Sequence, residues 1–198
     1  INPNNCSPSR SGFTTAVSLK NIKTGVENTV TGLPANLKAG SFSWSPAEDK
    51  IAFTNTTNTG VDLYVINIQT KKATKINKAQ VNTVMGSAFD WTDNNTIVYK
   101  SVNKPLSQLA AKPLAPKGPV VQQNLGKVAA SRTYQDLIKS PYDEVLFEFY
   151  ATTQLIKNVN GAETKLGSPA IYAGIEASPD KKYFLVERID KPYSYLVP

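Results

Sequence analysis

The stretch "SFSWSPAEDKIAFTN", Ser41 to Asn55, decides the fold. A Trp sits in a short β-type run. Ser-Pro and a polar turn follow, and a second apolar run returns. Standing alone, this is one hairpin. Repeated at a fixed period, it sets the architecture of the whole chain.

It repeats. Trp44-Ser45-Pro46 leads through a polar turn into Ile51-Ala52-Phe53, and Trp91-Thr92-Asp93 leads into Thr96-Ile97-Val98-Tyr99. Ser140-Pro141-Tyr142-Asp143-Glu144 leads into Val145-Leu146-Phe147, and Ser178-Pro179-Asp180 leads into Tyr183-Phe184-Leu185-Val186. The anchors fall at 44, 91, 139 and 177, spaced 47, 48 and 38 apart. A second ladder interleaves with the first. "NIKTGVENTV" begins at Asn21, "NIQTKKATKI" at Asn67 and "NVNGAETKL" at Asn158, spaced 46 and 91 apart. The longer interval is close to two periods.

Each unit therefore holds two hairpins. In the clearest one, Ser41–Trp44 pairs with Lys50–Asn55, and Val61–Ile68 pairs with Lys72–Ile76. The run Asp62-Leu63-Tyr64-Val65-Ile66 is rich in β-branched and aromatic residues, as strands are. Pro46 falls in a turn, where its missing N–H breaks no ladder. Four strands in a period of about 45 residues describe a β-propeller blade. The fold class expected is all-β: a β-propeller segment of about four TolB/WD40-like blades in an incomplete ring. The competing architecture is a β-sandwich with coincidental spacing. Trp44, Trp91, Phe53, Tyr99 and Phe147 recur at one phase of the blade and are expected to fill its core.

One interval breaks the rhythm. Ser101 to Arg132 carries four prolines and few bulky side chains. It occupies the place of a rung of the second ladder and reads as a long surface excursion between strands. Thr133 to Ser140 is expected to form one short helix, with Thr133 as its cap and Pro141 as its stop. On this reading residues 1–198 are one partial propeller domain with an insertion at about 101–132.

Composition excludes several functions. The chain has no histidine, so it cannot assemble a Ser-His-Asp or Cys-His arrangement. Its single cysteine, Cys6, forms no internal disulfide and joins no zinc cluster. "GVENTVTG" lacks the Gly-Lys-Ser/Thr ending of a phosphate loop. The net charge of +7 comes from thinly spread lysines and only three arginines, Arg10, Arg132 and Arg188. Nucleic-acid surfaces cluster their charge and mix in stacking aromatics, which this pattern does not. Glu48-Asp49 and Asp143-Glu144 fall in expected turns and read as solvated carboxylates rather than acid/base pairs. No calcium-loop pattern is present. No cofactor and no metal are expected.

Several stretches carry a resemblance: "SWSPAEDKIAFTNTTNTGVDLYVINIQT", "GSAFDWTDNNTIVYK", "ASRTYQDLIKSPYDEVLFEFYATTQL" and, most specifically, "ASPDKKYFLVERIDKPYSYLVP". They resemble the N-terminal propeller of secreted bacterial serine peptidases of the prolyl oligopeptidase family, in the glutamyl endopeptidase branch. The resemblance covers nearly the whole chain. It departs from the usual pattern at Ala47-Glu48-Asp49, where the family commonly has Asp-Gly.

The resemblance implies a longer parent, with a signal peptide and first strands upstream. Further blades and an α/β-hydrolase domain bearing Ser, Asp and His would follow Pro198. The propeller would cap and gate that active site and admit peptides, which the parent would cleave after Glu. No catalytic residue carries over, because no position matches one. One substrate-binding candidate stands in "VERIDKP": Arg188, whose guanidinium fork suits a carboxylate. The expected partners are the remainder of the polypeptide and the peptide substrate, with no nucleic acid and no membrane span. The expected location is secreted or periplasmic. The alternative is a stand-alone TolB-like propeller that binds a protein or peptide in the cell envelope.

Overall fold

The computed structural model describes residues 1–8, 10–113 and 138–193. Its strands are β1 (Ser18–Lys20), β2 (Glu27–Thr29), β3 (Ala39–Trp44), β4 (Lys50–Thr56), β5 (Val61–Asn67) and β6 (Lys72–Lys75). They continue with β7 (Phe89–Asp93), β8 (Thr96–Val102), β9 (Thr152–Val159), β10 (Ala162–Ala177) and β11 (Phe184–Ile189). One α-helix, α1 (Pro141–Ala151), precedes β9.

The sheets are antiparallel meanders in chain order. One is four-stranded, β3-β4-β5-β6. The second runs β7-β8-β9-β10 and continues to β11. A two-stranded piece, β1-β2, precedes both. The long β10 shifts register between Leu166 and Ala170, at Gly167 with φ +58°. Its first part closes one blade against β9, and its later part opens the next with β11. The fold is thus an all-β propeller segment: two four-stranded blades flanked by two half-blades.

Packing follows the period-2 alternation of strands. In β4, Ile51 and Phe53 pack with Val30, Leu37 and Ile66, on the side of β1-β2. Ala52, between them, packs instead with Phe89, Trp91, Ile97 and Tyr99 of the following blade. In β8, Ile97 and Tyr99 face back toward β4 and β5, while Val98 joins Leu155, Tyr172 and Ile175 on the far side. The two complete blades therefore pack face to face, and each carries a further cluster on its far side. Trp91 Nε1 donates to the Ser43 carbonyl at 3.3 Å, so the indole is pinned to the inner strand of the blade before it.

Both ladders have a physical cause. Asn21 Oδ1 accepts from the Lys23 and Thr24 amides at 2.9 and 3.0 Å. Asn67 Oδ1 accepts from the Thr70 amide at 2.9 Å, and Asn158 Oδ1 from the Gly161 amide at 2.8 Å. Each Asn ties the turn between the two outer strands of its blade. The serine ladder works similarly. The Lys50 amide donates to Ser45 Oγ at 3.1 Å, and the Tyr183 amide to Ser178 Oγ at 3.0 Å. In these two turns Glu48 and Lys181 take φ of +58° and +61°. A left-handed backbone there is the reason that Asp-Gly suits this turn.

The structure corrects four expectations. Ser140-Pro141 is not a turn into a strand, because α1 starts there. Ser140 is the N-cap, its Oγ accepting from the Asp143 amide at 3.3 Å, and Pro141 occupies the first turn. Pro thus begins this helix rather than stopping one, since its missing N–H is an orphan at that position anyway. The expected helix over Thr133 to Ser140 lies largely outside the described residues, and its last part, Ile138 to Ser140, is not helical.

The excursion is longer than 101–132. Ser101 and Val102 still belong to β8, and the next strand among the described residues begins at Thr152. The excursion therefore spans 103–151, all inside one blade. Most of the Pro-rich stretch, 114–137, lies outside the described residues.

Two of the five aromatics are not core. Phe147 lies on α1, half-buried, in edge contact with Tyr193 at 5.1 Å. Trp44 is 56% exposed. Phe53, Tyr99 and Trp91 are buried as expected.

Candidate functional site

Arg188 lies on β11 opposite Tyr172 of β10 and borders a cleft of about 490 Å³. The cleft forms because the excursion folds back on its own blade. The Tyr142 hydroxyl donates to the Ala110 carbonyl at 3.0 Å, holding the start of the excursion against α1. The Asn82 side chain donates to the Tyr150 carbonyl at 2.8 Å and fixes the other end of the helix. One wall is then α1, with Val145, Glu148 and Phe149. The other is the β10-β11 edge, with Ile171, Arg188 and Ile189, and the segment Asp190 to Tyr193.

Charge at the rim is mostly paired. Arg188 donates to Asp190 at 2.8 Å, and that bond holds its guanidinium above its ordinary pKa. Lys191 reaches Glu148 at 2.6 Å, and the Tyr193 hydroxyl donates to the same carboxylate at 3.1 Å. The Lys191 bond, ahead of the Tyr193 one, keeps the Glu148 carboxyl below its usual range, and the same contact raises Lys191. Glu148 is thus the anchor that fastens the chain after β11 to α1. Lys104, also in the lining, has no ion pair among the described residues.

The recess is lined by apolar side chains, by three cations, Lys104, Arg188 and Lys191, and by two carboxylates, Glu148 and Asp190. The chain has no imidazole, so no Ser-His-Asp arrangement can be assembled from its own residues. Asp49 accepts from Asn94 and Ser45, and Asp143, in the first turn of α1, accepts from the Ser140 hydroxyl, so neither carboxylate is placed as an acid or base. Among the described residues no group of three potential metal ligands converges. No helix among them is long and apolar enough to cross a membrane.

The sequence offers Arg188 as a candidate and the structure places it at the cleft, among surroundings that the sequence does not show. Glu148, Lys191 and Lys104 meet only because α1 lies across the blade. The available signal was Ser140-Pro141-x-Asp143, an N-cap with an acidic residue three positions on.

No protein-family profile matches the chain. It is 32% identical to a "Probable glutamyl endopeptidase, chloroplastic" of Oryza sativa subsp. japonica over 207 residues, which cover 96% of this chain and 22% of that protein. It is 33% identical over 182 residues to the protein of the same description in Arabidopsis thaliana, covering 87% of this chain and 19% of that one. The chain is a propeller segment similar in sequence to proteins described as probable glutamyl endopeptidases. It spans about a fifth of the length of these relatives. Among solved structures, TolB from Acinetobacter baumannii aligns over 86% of this chain and 31% of its own, at 15% identity and a TM-score of 0.43. An acylaminoacyl peptidase from Pyrococcus horikoshii aligns over 87% of this chain and 34% of its own, at 13% identity and a TM-score of 0.32.

Proposed function

We propose that this chain is a non-catalytic propeller segment of a serine endopeptidase that cleaves peptides after acidic residues, chiefly Glu. The observation that carries the reading is the similarity over nearly the whole chain to proteins described as glutamyl endopeptidases. A chain without histidine then takes part in peptidase function as a scaffold, and the Ser, His and Asp belong to an α/β-hydrolase domain elsewhere in the same polypeptide. The blades cap that active site and restrict it to flexible peptides. Arg188, at the mouth of the cleft, contacts the acidic side chain of the substrate. The polypeptide acts outside the cytoplasm, secreted or periplasmic.

The test uses the intact polypeptide and fluorogenic peptides differing only by Glu or Gln before the scissile bond. The Glu peptide is cleaved, the Gln peptide is not, and a fluorophosphonate abolishes the activity. Arg188→Ala raises KM for the Glu peptide about fivefold, the scale of an exposed charge pair. Equal cleavage of both peptides would end the acidic specificity. An unchanged KM in Arg188→Ala would remove Arg188 from the site. Equal rates on a folded protein and on its denatured chain would rule out gating.

A further inference from the structure

Residues one blade period apart should share an environment. Phe42 and Trp44 on β3 correspond to Phe89 and Trp91 on β7, both pairs lying 47 positions apart. Their environments differ sharply. Phe89 and Trp91 are 7% and 4% exposed, whereas Phe42 and Trp44 are 44% and 56% exposed. What covers the second pair is visible. Ala52, Val61 and Leu63 of the preceding blade pack on Phe89 and Trp91, and the Ser43 carbonyl of its inner strand accepts the Trp91 Nε1 bond.

On the other side of β3 the preceding blade is represented by β1-β2 alone. This pair holds the Asn-turn position, equivalent to β5-β6, so it supplies the two outer strands. It covers the outer part of the shared face, where Val17 and Leu19 pack with the cluster around Phe53. The inner part, where Phe42 stacks on Phe53 at 5.4 Å, has no cover among the described residues.

We infer that Phe42 and Trp44 form a docking face for the inner β-hairpin of a preceding blade, supplied by another part of the same polypeptide. The hairpin is of the β3-β4 type. It presents small or branched aliphatic side chains and a strand carbonyl that accepts the Trp44 Nε1 bond, and it pairs with the free edge of β1. This docking continues the interface between the two complete blades, moved back by one period, and rests on the reading of the chain as a segment of a longer polypeptide. The same repeat supplies a counterpart at the other end. Leu185 of β11 stands where Ala52 stands in its own blade and is 72% exposed, whereas Ala52 is fully covered. A second copy could thus offer a hairpin of the right type, and the test separates that source.

The chain has two tryptophans, Trp44 and Trp91, so each reports on its own face. Hydroxyl-radical footprinting of the intact polypeptide, read by mass spectrometry, compares them within one sample. The inference expects oxidation rates within about twofold of each other, unchanged over a hundredfold dilution. Trp44→Ala should then cost about as much stability as Trp91→Ala, as the loss of a buried aromatic does. A Trp44 rate at least tenfold above that of Trp91 would overturn the inference. Protection of Trp44 that vanishes on dilution, together with loss of a dimer, would assign the face to a second copy and overturn it as stated. None of these readouts depends on peptidase activity.

Discussion

Lys100 gives the sharpest test of the blade core. It lies in the middle of β8, fully buried, with its ammonium donating to the Met85 and Tyr172 carbonyls. No carboxylate meets it in an ion pair among the described residues. Desolvation by burial lowers its pKa from 10.5 to about 8. That difference corresponds to about 3 kcal/mol, at 1.36 kcal/mol per unit. Below pH 8 the lysine is protonated in both states, and the folded state bears the whole penalty. Between about pH 8 and pH 10.5 the folded protein has released the proton and the unfolded chain still holds it. The unfolded state then binds more protons, so this residue makes stability rise with pH across that window.

Lys100→Met cannot titrate. The stability of the wild type minus that of the variant should therefore climb by about 3 kcal/mol from pH 7.5 to pH 10.5. The other lysines and the tyrosines cancel in this difference. Urea unfolding followed by tryptophan fluorescence, at half-unit pH steps, measures it. A difference that stays flat across the window would refute the reasoning, whatever its absolute value at pH 7.

Other expectations follow from the turns and the helix. Glu48→Gly and Lys181→Gly each relieve a left-handed non-glycine residue and should stabilise by about 0.5 kcal/mol, the strain relieved less the glycine entropy; lower urea midpoints would show the turns misread. Gly86→Ala would drive a Cβ to 2.1 Å from the Ala173 carbonyl at a φ of +50°, and should cost about 3 kcal/mol in the same assay. Ser140→Ala removes the cap of α1 and should cost about 1 kcal/mol, with faster amide exchange confined to residues 142–145. The Glu148 carboxyl is held below its ordinary range when folded, so its contribution is present above that range and is lost as pH falls through the folded value. The NMR contact between the Phe147 and Tyr193 rings should therefore weaken on acidification in the wild type and be weak at every pH in Glu148→Gln.

The sequence showed the blades through residues that act locally. Asn21, Asn67 and Asn158 each tie the turn that follows them, and Ser45 and Ser178 each receive an amide across theirs. A local cause leaves a periodic trace. The excursion misled for the same reason. Its span, 103–151, is close to one 47-residue period, so it passes for a blade, and it carries a Ser-Pro of its own. Ser-Pro serves equally as a hairpin turn and as an N-cap followed by N1, and only what comes next decides. At Ser140 that is Asp143 and Glu144 in a first helical turn. The 91-residue step from Asn67 to Asn158 is thus one blade plus the excursion, not two blades.

The exposure of Trp44 could not be read from its own hairpin, because it depends on strands of another blade. The cleft was hidden for a similar reason. Arg188 is visible in "VERIDKP", but Lys104 and Glu148 come to it from opposite ends of the excursion.

The central claim is that these blades work as the scaffold of a longer serine peptidase. One measurement tests it most directly. The polypeptide that carries this sequence is purified from its source, reacted with a fluorophosphonate, denatured and weighed by intact mass spectrometry. The account predicts about four to five times the 21.5 kDa of this chain, as its share of the rice relative implies, plus the mass of one probe. A mass near 21.5 kDa with no probe attached would contradict it.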